Sequence, residues 1–228
     1  MSHRLMFSSL LVLLLLPGMV MASAITVNEV QANPRQSVNK AAYQWFELYN
    51  SSNAPVTLDG WSVWNRDGSD VLPAITVPAK GFVVVAASEA AFRQNFPGFM
   101  GTVVSLSDGT IGSGLQDGYF DQGHVGDLLC LKDGSGTVVD KLNWGNVDPS
   151  WANIALVSWN PGVPIVGPTH VLGRYPDGSG SGVQNDWKDF PGASPGAGNP
   201  PPGTGQIAPT TWGKIKALYS EKWHQMFM

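Results

Sequence analysis

From residue 25 onward, apolar positions either alternate with polar ones or run together in short blocks separated by Gly, Pro, Asn and Asp. Ile25-Thr26-Val27-Asn28-Glu29-Val30 alternates and stops before Asn33-Pro34, which predicts a first strand. Residues 43–49 predict a second, and residues 56–58 and 61–64 the next two. Gly81-Phe82-Val83-Val84-Val85-Ala86 is a nearly continuous apolar run, the signature of a strand covered on both faces. Strand character returns at residues 102–106, 127–131, 136–144 and 170–174. Turn formers at Ser51-Ser52-Asn53-Ala54-Pro55 and at Asp59-Gly60 make residues 43–65 read as a hairpin, and Asp133-Gly134 between apolar runs predicts another. One block departs from this pattern: Ser88 precedes a segment with Phe92 and Phe96 at i, i+4 and a stop at Pro97, so residues 88–96 predict a single short helix.

Composition agrees with this reading. Gly (27) and Pro (17) are abundant while only 13% of residues are charged, which favours a turn-rich all-β protein over a helical one. Short strands at this spacing make a β-sandwich the natural architecture. The formal net charge of −4 gives no attraction to phosphate backbones, so no nucleic acid partner is expected. Cys130 is the single cysteine, set in Leu128-Leu129-Cys130-Leu131, where it reads as a small buried hydrophobe; an intermolecular disulfide is the alternative.

The two ends differ from the middle. His3 and Arg4, an apolar run through Leu16, and Ala22-Ser23-Ala24 describe a secretory signal peptide over 1–24 cleaved after Ala24, and hence a secreted or cell-surface protein. An uncleaved anchor is the alternative, disfavoured by Pro17-Gly18. Composition turns to Pro, Gly, Ala and Ser from residue 191, and residues 200–209, opening with Pro200-Pro201-Pro202, are assigned as a flexible linker. Beyond it, Trp212, Ile215, Leu218 and Tyr219 share a helical face with Lys214, Lys216 and Lys222 nearby. Residues 210–228 therefore read either as a short basic amphipathic segment able to touch a membrane or as a frayed terminus.

Several motifs in order carry a family resemblance. Val27-Asn28-Glu29-Val30, Trp45-Phe46-Glu47-Leu48-Tyr49-Asn50, Val56-Thr57-Leu58-Asp59-Gly60-Trp61 and Pro78-Ala79-Lys80-Gly81-Phe82-Val83-Val84-Val85 resemble the first half of the lamin tail domain of secreted bacterial proteins. Gly126-Asp127-Leu128-Leu129-Cys130-Leu131-Lys132-Asp133, Val139-Asp140, Gly173-Arg174-Tyr175-Pro176-Asp177-Gly178, Asp189-Phe190 and Ser194-Pro195-Gly196-Ala197-Gly198-Asn199 are similar to its second half. The resemblance spans residues 25–199 and implies an immunoglobulin-like β-sandwich serving as a non-catalytic extracellular binding or structural module. Its partner would be a protein or a surface polysaccharide. An excursion at 146–169 is longer than the family pattern needs. With no heptad run in the chain, filament assembly and nuclear roles do not carry over.

Candidate chemistry is sparse. Glu29 and Glu47 each sit inside an apolar strand, and a carboxylate pair on neighbouring strands is the equipment of a glycoside hydrolase. The competing reading is that loop amides donate to them and that they hold one end of the sandwich together; the resemblance favours it, because the family carries such glutamates without known catalysis. Asp-Gly loops at Asp67-Gly68-Ser69-Asp70, Asp117-Gly118-Tyr119-Phe120-Asp121 and Asp177-Gly178-Ser179-Gly180 offer oxygens to calcium, but none shows the full alternating ligand loop, and solvated turns are preferred. His124 and His170 have no partners at metal spacing, and no serine elbow, phosphate loop or dinucleotide fingerprint occurs. No catalytic residue, cofactor site or metal site is assigned. Trp61, Trp64, Trp144, Trp151, Trp159 and Trp187 remain; most belong to the core, and Trp151, Trp159 and Trp64 are the candidates for an exposed, sugar-stacking or partner-binding surface. Asn50-Ser51-Ser52 also fits a glycosylation acceptor.

Overall fold

A computed structural model describes residues 23–32, 34, 40–65, 68–106, 127–144, 170–179 and 184–202. The expected signal peptide up to residue 22, the Asp117–Asp121 loop, His124, Trp151 and Trp159 in the 146–169 excursion, and the 210–228 segment lie outside the described residues.

Strands β1 (Ile25–Gln31), β2 (Trp45–Asn50), β3 (Val56–Thr57), β4 (Ser62–Trp64), β5 (Ser69–Val71), β6 (Thr76–Val77) and β7 (Phe82–Ala86) precede helix α1 (Glu89–Asn95). After it come β8 (Val103–Ser105), β9 (Asp127–Lys132), β10 (Val138–Trp144), β11 (Val171–Arg174) and β12 (Trp187–Phe190). They form a six-stranded sheet ordered β12-β11-β1-β2-β7-β8, a four-stranded sheet ordered β10-β9-β4-β5, and a small β3-β6 pair. All pairings are antiparallel except β7 with β8. This is the immunoglobulin-like sandwich that the sequence implied, with one α-helix among the described residues.

The pleat sorts the residues of the large sheet onto two apolar layers. Val30, Phe46, Leu48, Val83 and Val85 point inward and pack with Val63, Leu129, Leu131 and Leu142 of the smaller sheet. Their neighbours Trp45, Val84, Ala86 and Val171 point outward, where Phe92 of α1 and Phe190 cover them. Each such buried side chain contributes roughly 1.5–3 kcal/mol. A strand sandwiched between two apolar layers has no polar face to show, which explains the unbroken run at 82–86. Ser88 caps α1 as its position suggested, its hydroxyl accepting from the Ala91 amide at 3.3 Å. Phe92 and Phe96 then meet the Trp45 ring edge-on at 5.6 and 5.7 Å.

Residues 43–65 do not form the expected hairpin. Strand β2 already has β1 on one edge and β7 on the other, so β3 finds its partner in β6 and β4 joins β5 and β9 in the opposite sheet. The turn at Asp59-Gly60 thus joins strands of different sheets, Gly60 taking φ +69°. The Asp133-Gly134 hairpin does form, linking β9 to β10. Strands β5, β6 and β12 had no visible alternation because each is only two to four residues long. Within the loop expected at 67–70, Ser69 and Asp70 belong to β5 and Asp70 is buried.

Candidate functional site

Glu29 and Glu47 face each other in register on β1 and β2, as their strands allowed. A bulge between Val27 and Glu29 inserts Asn28 and turns Glu29 to the outer face beside Glu47. Both glutamates are fully buried. The closing segment lies over them: the Ser194 amide donates to Glu29 Oε1 at 3.0 Å, the Gly196 amide to Glu47 Oε2 at 2.5 Å, and the Ser194 hydroxyl to Glu29 Oε2 at 3.4 Å. Gly196 makes its bond with φ +77°, a backbone state open to glycine at little cost. Asn28 Nδ2 bridges Glu47 Oε1 (3.4 Å) and Asp177 Oδ1 (3.1 Å), and Asp177 Oδ1 also accepts from the Asn199 amide at 2.9 Å. Asn199 Nδ2 completes the lacing to the Asn28 and Arg174 carbonyls.

Burial dominates the electrostatics here. It lifts the Glu29 carboxyl to about 8, against the pull of the Ser194 donors, and Asp177 adds to the rise. Burial, then repulsion from Glu29, also pushes Glu47 well above the ordinary glutamate range. A general acid with a raised pKa is useful only where a substrate can reach it. Here the backbone of residues 194–196 covers both carboxyls, an arrangement that matches the scaffolding role. Among the described residues, no group of three or more His, Cys, Asp or Glu side chains is placed to hold a metal ion, and Asp177 is committed to Asn28 and Asn199.

A second buried charge centre was not singled out from sequence. Arg174, on β11, is 1% exposed; its Nη2 donates to both Asp140 oxygens at 2.7 and 2.8 Å, and Asp186 Oδ2 lies 3.8 Å from its Nη1. Arg174 also donates to the Val27 carbonyl at 2.8 Å and the Ser179 carbonyl at 2.5 Å, with its guanidinium stacked on Trp187 at 4.5 Å. Asp140 Oδ2 in turn accepts from the Val27 amide at 2.7 Å, beside the β1 bulge. Since β11 lies in the large sheet and β10 in the small one, this charge-assisted pair clasps the two layers. A charged residue directly after the apolar Val171-Leu172-Gly173 was the available signal; its partner lies 34 positions away, beyond any local pattern.

The aromatic candidates separate. Trp45, Trp144 and Trp187 are buried, and Trp61 packs against the core. Trp64 is half-buried, its indole nitrogen donating to Ser62 at 2.9 Å and its ring covered by the Lys132 ammonium at 3.7 Å, so that face is not free to stack on a sugar. His170 pairs with Asp189 at 2.8 Å. Cys130 is buried, and burial pushes its thiol up to about 11, in keeping with an inert apolar role. Asn50 is buried too; its side chain shapes the following turn by bonding Ala54, Val77 and Ser52. What sequence reasoning did not find is an open groove of about 820 Å³ lined by Lys80, Phe82, Phe96, Phe99, Met100 and residues 193–197. Met100 on its rim is 93% exposed.

Comparison with known families bears on all of this. A family model described as Lamin Tail Domain matches residues 21–146, more than half of the chain. No curated protein matches it. The match ends after β10, yet β11 pairs with β1 and β12 with β11, so the closing strands complete the same sheet. Sequence match, sandwich architecture and carboxylates used to hold the scaffold together agree: the chain belongs to the Lamin Tail Domain family of immunoglobulin-like, non-enzymatic modules.

Proposed function

We propose that this chain is a secreted or surface-displayed binding module whose partner is a protein, with residues 200–209 as a linker to a C-terminal segment at 210–228 that sorts or anchors it. The observation that carries the reading is the contrast between its carboxylates and its surface. Glu29 and Glu47 are sealed under backbone and spent on structure, while aromatic rings and an exposed methionine line an open groove beside them. Aromatic and Met side chains around a concave apolar surface are the composition enriched at protein interfaces. A polysaccharide partner would need free indole faces, and that of Trp64 is taken by Lys132. The leader-like residues 1–24 support export.

The test combines fractionation with site-specific crosslinking in the producing cells. The protein should be found outside the cytoplasm, and deletion of residues 210–228 should shift it from cells to medium without changing its folding. A photo-crosslinker at position 100 should trap a discrete protein that Met100→Lys no longer binds. Retention in the cytoplasm, or selective sugar binding on a glycan array, overturns the reading.

A further inference from the structure

The cover over the glutamate pair is thin. Ser194 and Asn199 are buried beneath it, but Gly196, Ala197 and Gly198 are exposed, so a single layer of backbone separates the Glu47 carboxyl from water. Among the described residues, the charged groups around the pair do nothing to neutralise it. From the loop after β11, Asp177 adds a further acidic group. Arg174 of β11 is turned toward β10 and bound to Asp140, Val27 and Ser179. Lys80, in the turn before β7, donates to the Ser51 carbonyl at 2.6 Å, and β7 itself presents Val84 opposite Glu47. Arg93 of α1 is engaged by Glu89 and the Phe99 carbonyl; on β12, Lys188 bonds the Asn185 carbonyl and Asp189 bonds His170. Among the described residues, each glutamate receives only neutral donors: Ser194 for Glu29, Gly196 and Asn28 for Glu47.

We propose that residues 194–199 are a pH-operated latch on the six-stranded sheet, closed while at least one of Glu29 and Glu47 holds a proton and released, ahead of the rest of the sandwich, when both are ionised. The physical cause is the cost of holding charged carboxylates in a dry site, to which repulsion of Glu47 by Glu29 adds, and which water relieves once the segment lifts. The raised pKa values agree in sign: the closed state holds protons that the open state gives up, so rising pH favours opening. For each carboxyl, the closing equilibrium weakens about tenfold per pH unit between its open-state and closed-state pKa. Residues 193–197 are also one wall of the apolar groove, and Gly196 lies against the Phe99 ring, so release reshapes that surface. The latch is independent of which partner the groove accepts.

Amide hydrogen exchange by NMR on the full chain, corrected for the intrinsic pH dependence of exchange, tests this from pH 6 to 9.5. The Ser194 and Gly196 amides should lose at least about tenfold of their protection across that range and stay less protected than Leu129 and Leu131 in β9 at every pH, because they exchange through release of the segment and β9 only through unfolding of the whole sandwich. Glu47→Gln retains an acceptor oxygen but cannot ionise, and it should flatten the Gly196 profile. Constant protection at Ser194 and Gly196, protection there equal to that of β9 at every pH, or a Glu47→Gln profile like that of the unsubstituted protein overturns the latch. Should Glu47→Gln fail to fold, carboxyl 13C titration of the unsubstituted protein decides: at least one of the two glutamates must titrate above about pH 7, and both midpoints below 6 would sink the idea.

Discussion

Arg174 and Asp140 show how much a single buried contact can carry. Arg174→Ala takes the cation from Asp140 and the buried donors from the Val27 and Ser179 carbonyls, so it should cost about 3–5 kcal/mol in denaturant unfolding. Arg174→Lys should recover only part of this, because one ammonium nitrogen cannot stand in for Nη2 at Asp140, Nε at Val27 and Nη1 at Ser179 together. The glutamate pair behaves differently, since it carries raised pKa values in the folded state. Glu47→Gln should be tolerated at neutral pH, while Glu47→Ala orphans the Gly196 donor and opens a void, costing about 1–3 kcal/mol by the same measurement.

Two turns that looked independent in the sequence touch in the fold. A Cβ built on Gly134 would sit 2.8 Å from the Asp59 carbonyl oxygen, and one on Gly60 would lie 3.5 Å from the Gly134 Cα. The two Asp-Gly turns thus abut, and the obstacle at Gly134 is backbone that cannot swing aside. Gly134→Ala should lower stability by about 1–3 kcal/mol, whereas Gly68→Ala, which meets nothing within 4 Å, should change it by less than about 0.5 kcal/mol. At the start of β1, the Ala24 carbonyl accepts from the Ser51 amide (2.8 Å) and hydroxyl (3.1 Å), and Ser23 Oγ accepts from the Ile25 amide. A chain starting at Ser23 should therefore melt higher than one starting at Ile25, by the equivalent of about 1 kcal/mol or more. Equal melting temperatures would show that these bonds add nothing.

For the molecule as a whole, pH is the natural probe. Glu29 stands at about 8 in the folded state against an ordinary value of 4.5, and Glu47 and Asp140 are raised as well, Asp140 by burial against the pull of Arg174. The native state therefore binds more protons than the unfolded chain in the window between. Stability is fully present below the ordinary carboxyl range and is lost as pH rises through about 8. Melting temperature should fall from pH 5 to pH 9, and Glu29→Gln with Glu47→Gln should flatten the slope, making the variant the more stable form at pH 9. A rising or flat profile in the unsubstituted protein contradicts the assigned carboxyl states.

Most strand positions, the α1 cap, the burial of Cys130 and the sandwich class were legible along the chain, because each depends on local pattern or on one turn, whereas β5, β6 and β12 are too short to alternate visibly. Trp64 was legible as an aromatic but not as a covered one, since Lys132 reaches it from a neighbouring strand. Strand pairing was not legible, and the hairpin expected at 43–65 is the example: local turn chemistry says that the chain reverses, not which sheet the next strand joins. Nor did the sequence show that Glu29 and Glu47 are roofed by residues 194–199, or that Arg174 meets Asp140. Those contacts join positions 34 to 165 apart, and burial, which sets their protonation, exists only once the sheets have packed.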